Sequence, residues 1–160
     1  MELLAAAGLP RVTFSDTFTQ RLPTGSSRAV AHWHRALLDA GVPVWVEALL
    51  AARNRLAAAL GPETAGRPGD DFPFTLLARD GDTLVFGADD KHLDFRGVLR
   101  VVGEDLQCAT VVHEHNATGR AYFCVVKPFH RLIVPALLRR VARLESASRR
   151  RVARSPAANQ

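Results

Sequence analysis

Residues 91–115, KHLDFRGVLRVVGEDLQCATVVHEH, decide the fold because they read as two long strands joined by a tight turn. Gly103 and Glu104 form the predicted turn, since glycine in first position accepts the positive φ of a type II′ hairpin. Val102 then faces Asp105. The same register places Asp94 opposite His113, and it continues to His92 opposite His115.

Outward from this hairpin, the apolar residues recur every second position in some segments and every three to four positions in others. The first period predicts strands and the second predicts helices. Pro135 lies inside the last predicted helix and predicts a kink or a delayed start there. The other predicted elements are a strand at Arg11–Phe18, helices at Ser26–Asp39 and Pro43–Leu60, strands at Phe74–Ala78, Thr83–Phe86 and Ala121–Val126, and a helix that begins at Pro128.

This order predicts an α+β fold, in which a curved antiparallel sheet of about six strands wraps a long C-terminal helix, with two shorter helices after the first strand. The order is similar to the helix-grip arrangement of the START and Bet v 1-like superfamily. In that superfamily the space between sheet and helix usually holds an apolar ligand. We predict a single domain at residues 1–146 and a basic, flexible tail at residues 147–160.

The composition is that of an ordinary soluble domain, with 160 residues of which 48% are hydrophobic and 23% charged. The chain has no apolar run of about 20 residues, the length that a bilayer span needs. The segment Met1–Gly8 lacks the pattern of a signal peptide. We therefore expect a cytoplasmic protein without a membrane partner. Cys108 and Cys124 fall in predicted strands and are interpreted as reduced packing residues.

The net charge of +5 comes from the C-terminal segment, where seven arginines follow residue 138 against the single acid Glu145. A nucleic-acid-binding domain is expected to spread its basic residues over a folded face with interleaved aromatics. Arginine near a helix C-terminus also complements the helix dipole. Nucleic acid is therefore not expected as a partner.

Side chains of the central hairpin alternate between two faces of the sheet. Acid–base chemistry needs an oriented imidazole, and a cross-strand His–Asp pair supplies one. We therefore assign His92, Asp94 and His113 as candidate catalytic residues, with Arg96 or Arg131 to hold an anionic oxygen. The alternative is a solvated polar face without chemistry. The residues that share the predicted polar face are His92, Asp94, Arg96, His113 and His115.

Other candidate residues would line a pocket between the sheet and the last helix. Tyr122 faces His113 if the preceding loop is symmetric, and it faces the helix if Gly119 forms a bulge, which is the favoured alternative. His130 and Arg131 lie at the predicted helix start, where capping or a salt bridge is the competing interpretation. The candidate substrate-binding residues are Arg96 and His115 on the polar face, together with Trp33, Trp45, Phe95, Tyr122, His130 and Arg131.

Metal binding is a further alternative, because His113 and His115 share one strand face and His92 could supply a third ligand. The chain contains no known metal signature, and no P-loop, dinucleotide-binding or Gly-x-Ser-x-Gly motif. We therefore expect neither a metal nor a cofactor.

Five stretches of the chain carry a family resemblance: 14–18, 43–46, 90–96, 111–116 and 119–134. Together they resemble a bacterial family known only as a domain of unknown function (DUF2867-like), which also occurs fused behind short-chain-dehydrogenase-like domains. The resemblance covers most of residues 12–140 and implies a helix-grip pocket, but the family has no established activity to transfer.

Two functions follow as hypotheses. The first is binding of a small, partly apolar molecule between sheet and helix, with acid–base catalysis of a cyclase or dehydratase type as an enzymatic variant. The second is a non-enzymatic interaction module that docks a protein through the polar face or the basic tail, and a homodimer is left open. A pocket of roughly 300 Å³ or more favours the first hypothesis. A filled core with an exposed apolar patch favours the second.

Overall fold

The chain folds into a five-stranded antiparallel sheet with helices on one face. A computed structural model describes residues 7–41, 43–45, 47–48, 51, 55 and 75–154. The sheet order is β1-β5-β4-β3-β2, so the first strand pairs with the last. The α+β class is confirmed, and the arrangement is compatible with a helix grip. The elements are β1 (Phe14–Arg21), α1 (Val30–Asp39), β2 (Thr75–Asp80), β3 (Thr83–Asp89), β4 (Leu93–Val102), β5 (Asp105–Glu114) and α2 (Ala117–Arg154).

The register of the central hairpin is the predicted one. Val102 pairs with Asp105, and Asp94 pairs with His113. Gly103 has a φ of 60°, the left-handed conformation that glycine adopts without a steric penalty. The backbone N–H of His115 donates to the carbonyl of His92 at 2.9 Å, which continues the pairing past the ends of both strands. The predicted hairpin between β2 and β3 is also present.

The predicted strand Ala121–Val126 is wrong, because this segment belongs to α2. The loop predicted before Tyr122 is also wrong, since the helix already begins at Ala117. Asn116 caps the helix: its Oδ1 accepts a hydrogen bond from the backbone N–H of Gly119 at 3.0 Å. The apolar run 121–126 is ambiguous by periodicity, and packing against the sheet decides for helix. The described sheet therefore has five strands, and Cys124 is exposed on a helix rather than placed in a strand.

The long helix α2 begins well before its two prolines and runs past the predicted tail boundary. Pro128 and Pro135 both lie inside it, each of them lacking the N–H for one helical hydrogen bond. The helix continues to Arg154, although a flexible tail was predicted from residue 147. By length and composition alone, Ala117–Val152 is long and apolar enough to span a bilayer. The absence of a membrane partner stays a prediction.

The main core lies between the sheet and both helices. Its centre is formed by the fully buried side chains of Trp33 from α1, Leu99 and Leu106 from the central hairpin, and Leu138 from α2. The indole Nε1 of Trp33 donates to the carbonyl of Ser27 at 2.8 Å, so its single polar group is satisfied. Trp33, predicted as a pocket residue, is thus part of the packed core.

The outer face of the sheet, away from the helices, has a small core of its own. Val98, Ala109 and Val111 are fully buried there and pack with Ala7 from the N-terminal segment. Asp94 and His113 form the next cross-strand pair on this face. These polar residues therefore lie beside apolar side chains that are buried.

The predicted helix Pro43–Leu60 is only partly described. Val44, Trp45, Glu47, Ala48, Ala51 and Arg55 are helical. The backbone N–H of Glu47 donates to the carbonyl of Pro43 at 3.0 Å, which is a helical hydrogen bond. The predicted apolar positions Leu49, Leu50, Leu56 and Leu60 lie outside the described residues.

Candidate functional site

Asp94 makes its closest polar contact with His115, two residues beyond the partner that the register gives it. His115 Nε2 lies 2.9 Å from Asp94 Oδ2. This hydrogen bond is the main cause of the raised pKa of His115. Asp94 and His113 are direct Cα partners, as predicted, but the carboxylate reaches diagonally along the strand end.

The side chain of His113 lies beside this pair. Its ring centroid is 4.9 Å from that of His115, in an edge-to-face arrangement. Its Nδ1 is buried and has no hydrogen-bond partner among the described residues. A carboxylate oxygen of Asp94, a ring nitrogen of His113 and a ring nitrogen of His115 all lie within 4.8 Å of one another. We call Asp94, His113 and His115 the triad.

Arg96 is held next to the triad by an acid that the sequence did not single out. Its Nη1 lies 2.5 Å from Asp89 Oδ1 and also donates to the backbone carbonyls of Ala88 and Phe95. The guanidinium group lowers the pKa of Asp89. Asp89 is the Cα partner of Asp94, so extending the predicted strand from Phe86 to Asp89 would have revealed it.

His92 is not in β4 but in the turn before it, where it joins that turn to the start of α2. Its Nδ1 lies 3.1 Å from Nδ2 of Asn116. Its backbone carbonyl packs so closely against Gly119 that any added Cβ would collide with it. Contacts of this kind point to a structural role in this joint, and the catalytic role of His92 stays a prediction.

A second Asp–His pair lies between the sheet and α2. His130 Nε2 is 3.1 Å from Asp16 Oδ1, and the two side chains are only 13% and 14% exposed. Asp16 Oδ2 is buried and has no hydrogen-bond partner among the described residues. His130 is well inside α2 rather than at a helix start. Asp16 was missed, although its place between Phe14 and Phe18 on one strand face was a sequence signal for a buried acid.

The remaining candidates do not converge on one place. Tyr122 is on α2, so the question of its cross-strand partner no longer arises. Arg131 is exposed on the same helix. Phe95 is half-buried, with its ring 6.4 Å from that of Phe86. Their binding roles stay predictions.

Trp45 lines an open groove of about 550 Å³ between the segment at Pro43 and the side of α2. We call it the arginine groove, and its described lining is Pro43, Trp45, Ala136, Arg139, Arg140, Arg143 and Leu144. Arg140 Nε donates to the carbonyl of Ala40 at 3.0 Å, at the C-terminal end of α1. Within the described part of the chain, neither Arg139 nor Arg143 lies within ion-pair distance of a carboxylate.

From the sequence, the arginines of this groove were interpreted only as residues that complement the helix dipole and as part of the basic C-terminal segment. Their recurrence at positions 139, 140 and 143 on one side of a helix could have indicated a shared surface. The other wall, at Pro43 and Trp45, is far away in sequence, so the groove itself required the tertiary structure.

The fold and these sites define a small α+β domain in which an antiparallel sheet packs against a long C-terminal helix that also walls a basic groove. The chain belongs to the family described as "Protein of unknown function (DUF2867)", whose model matches residues 9–137. No curated protein and no solved structure matches the chain.

Proposed function

We propose that this domain is a helix-grip protein of the START and Bet v 1-like kind and that it binds a small, partly apolar anion in the arginine groove. The observation that carries the proposal is the groove itself, which has a volume of about 550 Å³ and is lined by Trp45 and three arginines. The sheet order and the long helix packed on one face support the helix-grip assignment.

The size of the groove suits a small molecule. Ligand sites are clefts of roughly 300–1,000 Å³, lined mainly by apolar groups with a few placed polar ones. Trp45 and Leu144 are each 47% exposed, so apolar surface remains there for a ligand to cover. Burying that surface is worth about 25 cal/mol per Å² of apolar area.

The charge of the groove selects for an anion. Arg139 and Arg143 have no carboxylate partner among the described residues, and Arg140 makes its contact with a backbone carbonyl. Guanidinium groups bind carboxylates and phosphates through paired hydrogen bonds, which are stronger than neutral ones. Because of the three arginines, we expect the partly apolar molecule predicted from the sequence to carry a negatively charged group.

The proposal contains no catalytic step. The described lining of the groove includes none of His92, Asp94 and His113. An acid or base has to lie within hydrogen-bond reach of the substrate atom that it serves. The acid–base roles predicted for those three residues are therefore not part of the binding function proposed for the groove.

The test is calorimetric titration of the full chain with three ligands that share one alkyl chain: octanoate, octanol and octylammonium. We expect saturable binding of octanoate at one site, weaker binding of octanol, and none of octylammonium. Equal binding of all three would mean non-specific hydrophobic association and would overturn the proposal. So would the absence of saturable binding of octanoate.

A pair of arginine variants locates the site. Arg143→Gln is expected to weaken octanoate binding roughly tenfold, because it removes a charge-assisted hydrogen bond worth about 1.5 kcal/mol at a partly exposed position. Arg150→Gln is the matched control, since Arg150 is exposed on the same helix and outside the described groove lining. An equal loss in both variants would show that only net charge matters.

A further inference from the structure

We propose that the triad of Asp94, His113 and His115 binds a divalent transition-metal ion, Zn²⁺ or a chemically similar ion. The ligand atoms of the three side chains lie within 4.8 Å of one another. Two imidazoles and one carboxylate form a ligand set that zinc, cobalt(II) and iron(II) accept. This site is independent of the arginine groove and shares no described residue with it.

The strand geometry brings the three ligands together. His113 and His115 are two positions apart at the end of β5, so their side chains lie on the same side of the chain. Asp94 is the Cα partner of His113 on β4. The intervening Glu114 alternates to the other face. A two-residue spacing on one strand and one acid on its neighbour thus produce a compact N₂O set.

The unpartnered nitrogen of His113 is the independent sign that a ligand belongs here. His113 Nδ1 is buried and has no hydrogen-bond partner among the described residues. Buried polar atoms in folded proteins are nearly always satisfied, and an exception calls for an explanation such as an unseen ion. A metal bound to this nitrogen would satisfy it.

The separation of the other two ligands already suits an ion. Metal–nitrogen and metal–oxygen bonds of about 2.0–2.2 Å place neighbouring ligand atoms roughly 3 Å apart. His115 Nε2 and Asp94 Oδ2 are 2.9 Å apart. The ligand atom of His113 lies within 4.8 Å of both, so it has to move closer to them for one ion to bind all three.

The surrounding groups hold His115 in place and leave a negative charge for the ion. The hydrogen bond between His115 Nε2 and Asp94 Oδ2, 2.9 Å long, orients the imidazole ring toward the carboxylate. Arg96, two residues along β4 from Asp94, is paired with Asp89. One carboxylate charge, that of Asp94, therefore remains for a divalent ion.

Three protein ligands leave at least one coordination position open, which is the pattern of zinc sites that also bind water or a substrate. The side chain of His115 is 31% exposed, so solvent reaches this ligand. Binding removes the shared proton between His115 and Asp94, because a coordinating Nε2 cannot carry hydrogen.

The experiment is titration of the untagged, EDTA-treated full chain with Co²⁺, followed by visible absorption, and with Zn²⁺, followed by calorimetry. We expect one ion per chain and cobalt d–d bands that Zn²⁺ displaces. Absence of saturable binding at one ion per chain would overturn the proposal.

Variants assign the site. Asp94→Asn, His113→Asn and His115→Asn are each expected to weaken Co²⁺ binding by at least about tenfold. His32→Asn is the matched control, because His32 is an exposed histidine whose Nε2 pairs with Glu145. Circular dichroism of each metal-free variant checks that it is folded. If a variant fails to fold, NMR of the wild-type protein takes its place. Added Zn²⁺ is then expected to shift the imidazole signals of His113 and His115, and unchanged signals would refute the site.

Discussion

The partly buried pair of Asp16 and His130, with side chains 14% and 13% exposed, provides a sharp test of how this fold tolerates polar groups between sheet and helix. Replacing His130 with Phe keeps the ring contact with Phe18, whose centroid is 5.9 Å away, but removes the donor to Asp16. Because Asp16 Oδ2 already has no partner among the described residues, both carboxyl oxygens would then be unpaired.

The expected cost follows from that count. Leaving a buried polar group unpaired costs about 1–3 kcal/mol, and more for a charged group. The Asp16 side chain is 14% exposed, so water can reach part of it and the estimate stays near the middle of that range. We expect His130→Phe to lower the free energy of unfolding by about 2 kcal/mol. For a chain of this size the melting temperature would fall by roughly 4–8 °C.

The assay is urea unfolding followed by circular dichroism, with a double-mutant cycle to isolate the pair. Asp16→Leu removes the acid, and in that background His130→Phe should cost little or even stabilise the protein, because two apolar groups then replace a buried polar pair. If His130→Phe is equally costly with and without Asp16, the loss comes from packing and the reasoning is refuted.

Two further predictions concern thiol chemistry and packing. Burial raises the pKa of the Cys108 thiol to about 12, so at pH 8 a maleimide should add to the exposed Cys124 alone; mass spectrometry of folded protein should show one adduct, and two would contradict the burial of β5. Leu138→Ala should cost about 2–5 kcal/mol in urea unfolding because the side chain is fully buried, whereas Leu132→Ala, at a position 58% exposed, should cost well under 1 kcal/mol; equal losses would contradict the packing of α2.

In the candidate site, some contacts were predicted from the sequence and others were not. The pairing of Asp94 with His113 followed from alternation and one turn. The choice of His115 as the hydrogen-bond partner did not follow, because it depends on side-chain rotamers at the end of a strand. Asp89 was also missed, because the predicted strand ended at Phe86. The observed strand β3 continues to Asp89, and only this extension gives Asp89 a cross-strand partner.

Contacts between distant parts of the chain account for the sites that the sequence did not predict. Asp16 and His130 are 114 residues apart, and the two walls of the arginine groove are nearly as distant. Each wall has an ordinary local sequence. Their approach is a consequence of α2 packing across the sheet.

Local chemistry was enough for the hairpins, because a glycine at positive φ and a two-residue side-chain period leave one register for β4 and β5. It was not enough for residues 121–126, whose apolar run fits a strand or a helix equally. There the Asn116 cap and the burial of Phe123 against Phe14, with ring centroids 4.8 Å apart, select the helix. Burial energy is shared between segments, and so its outcome depends on the packed molecule rather than on any segment alone.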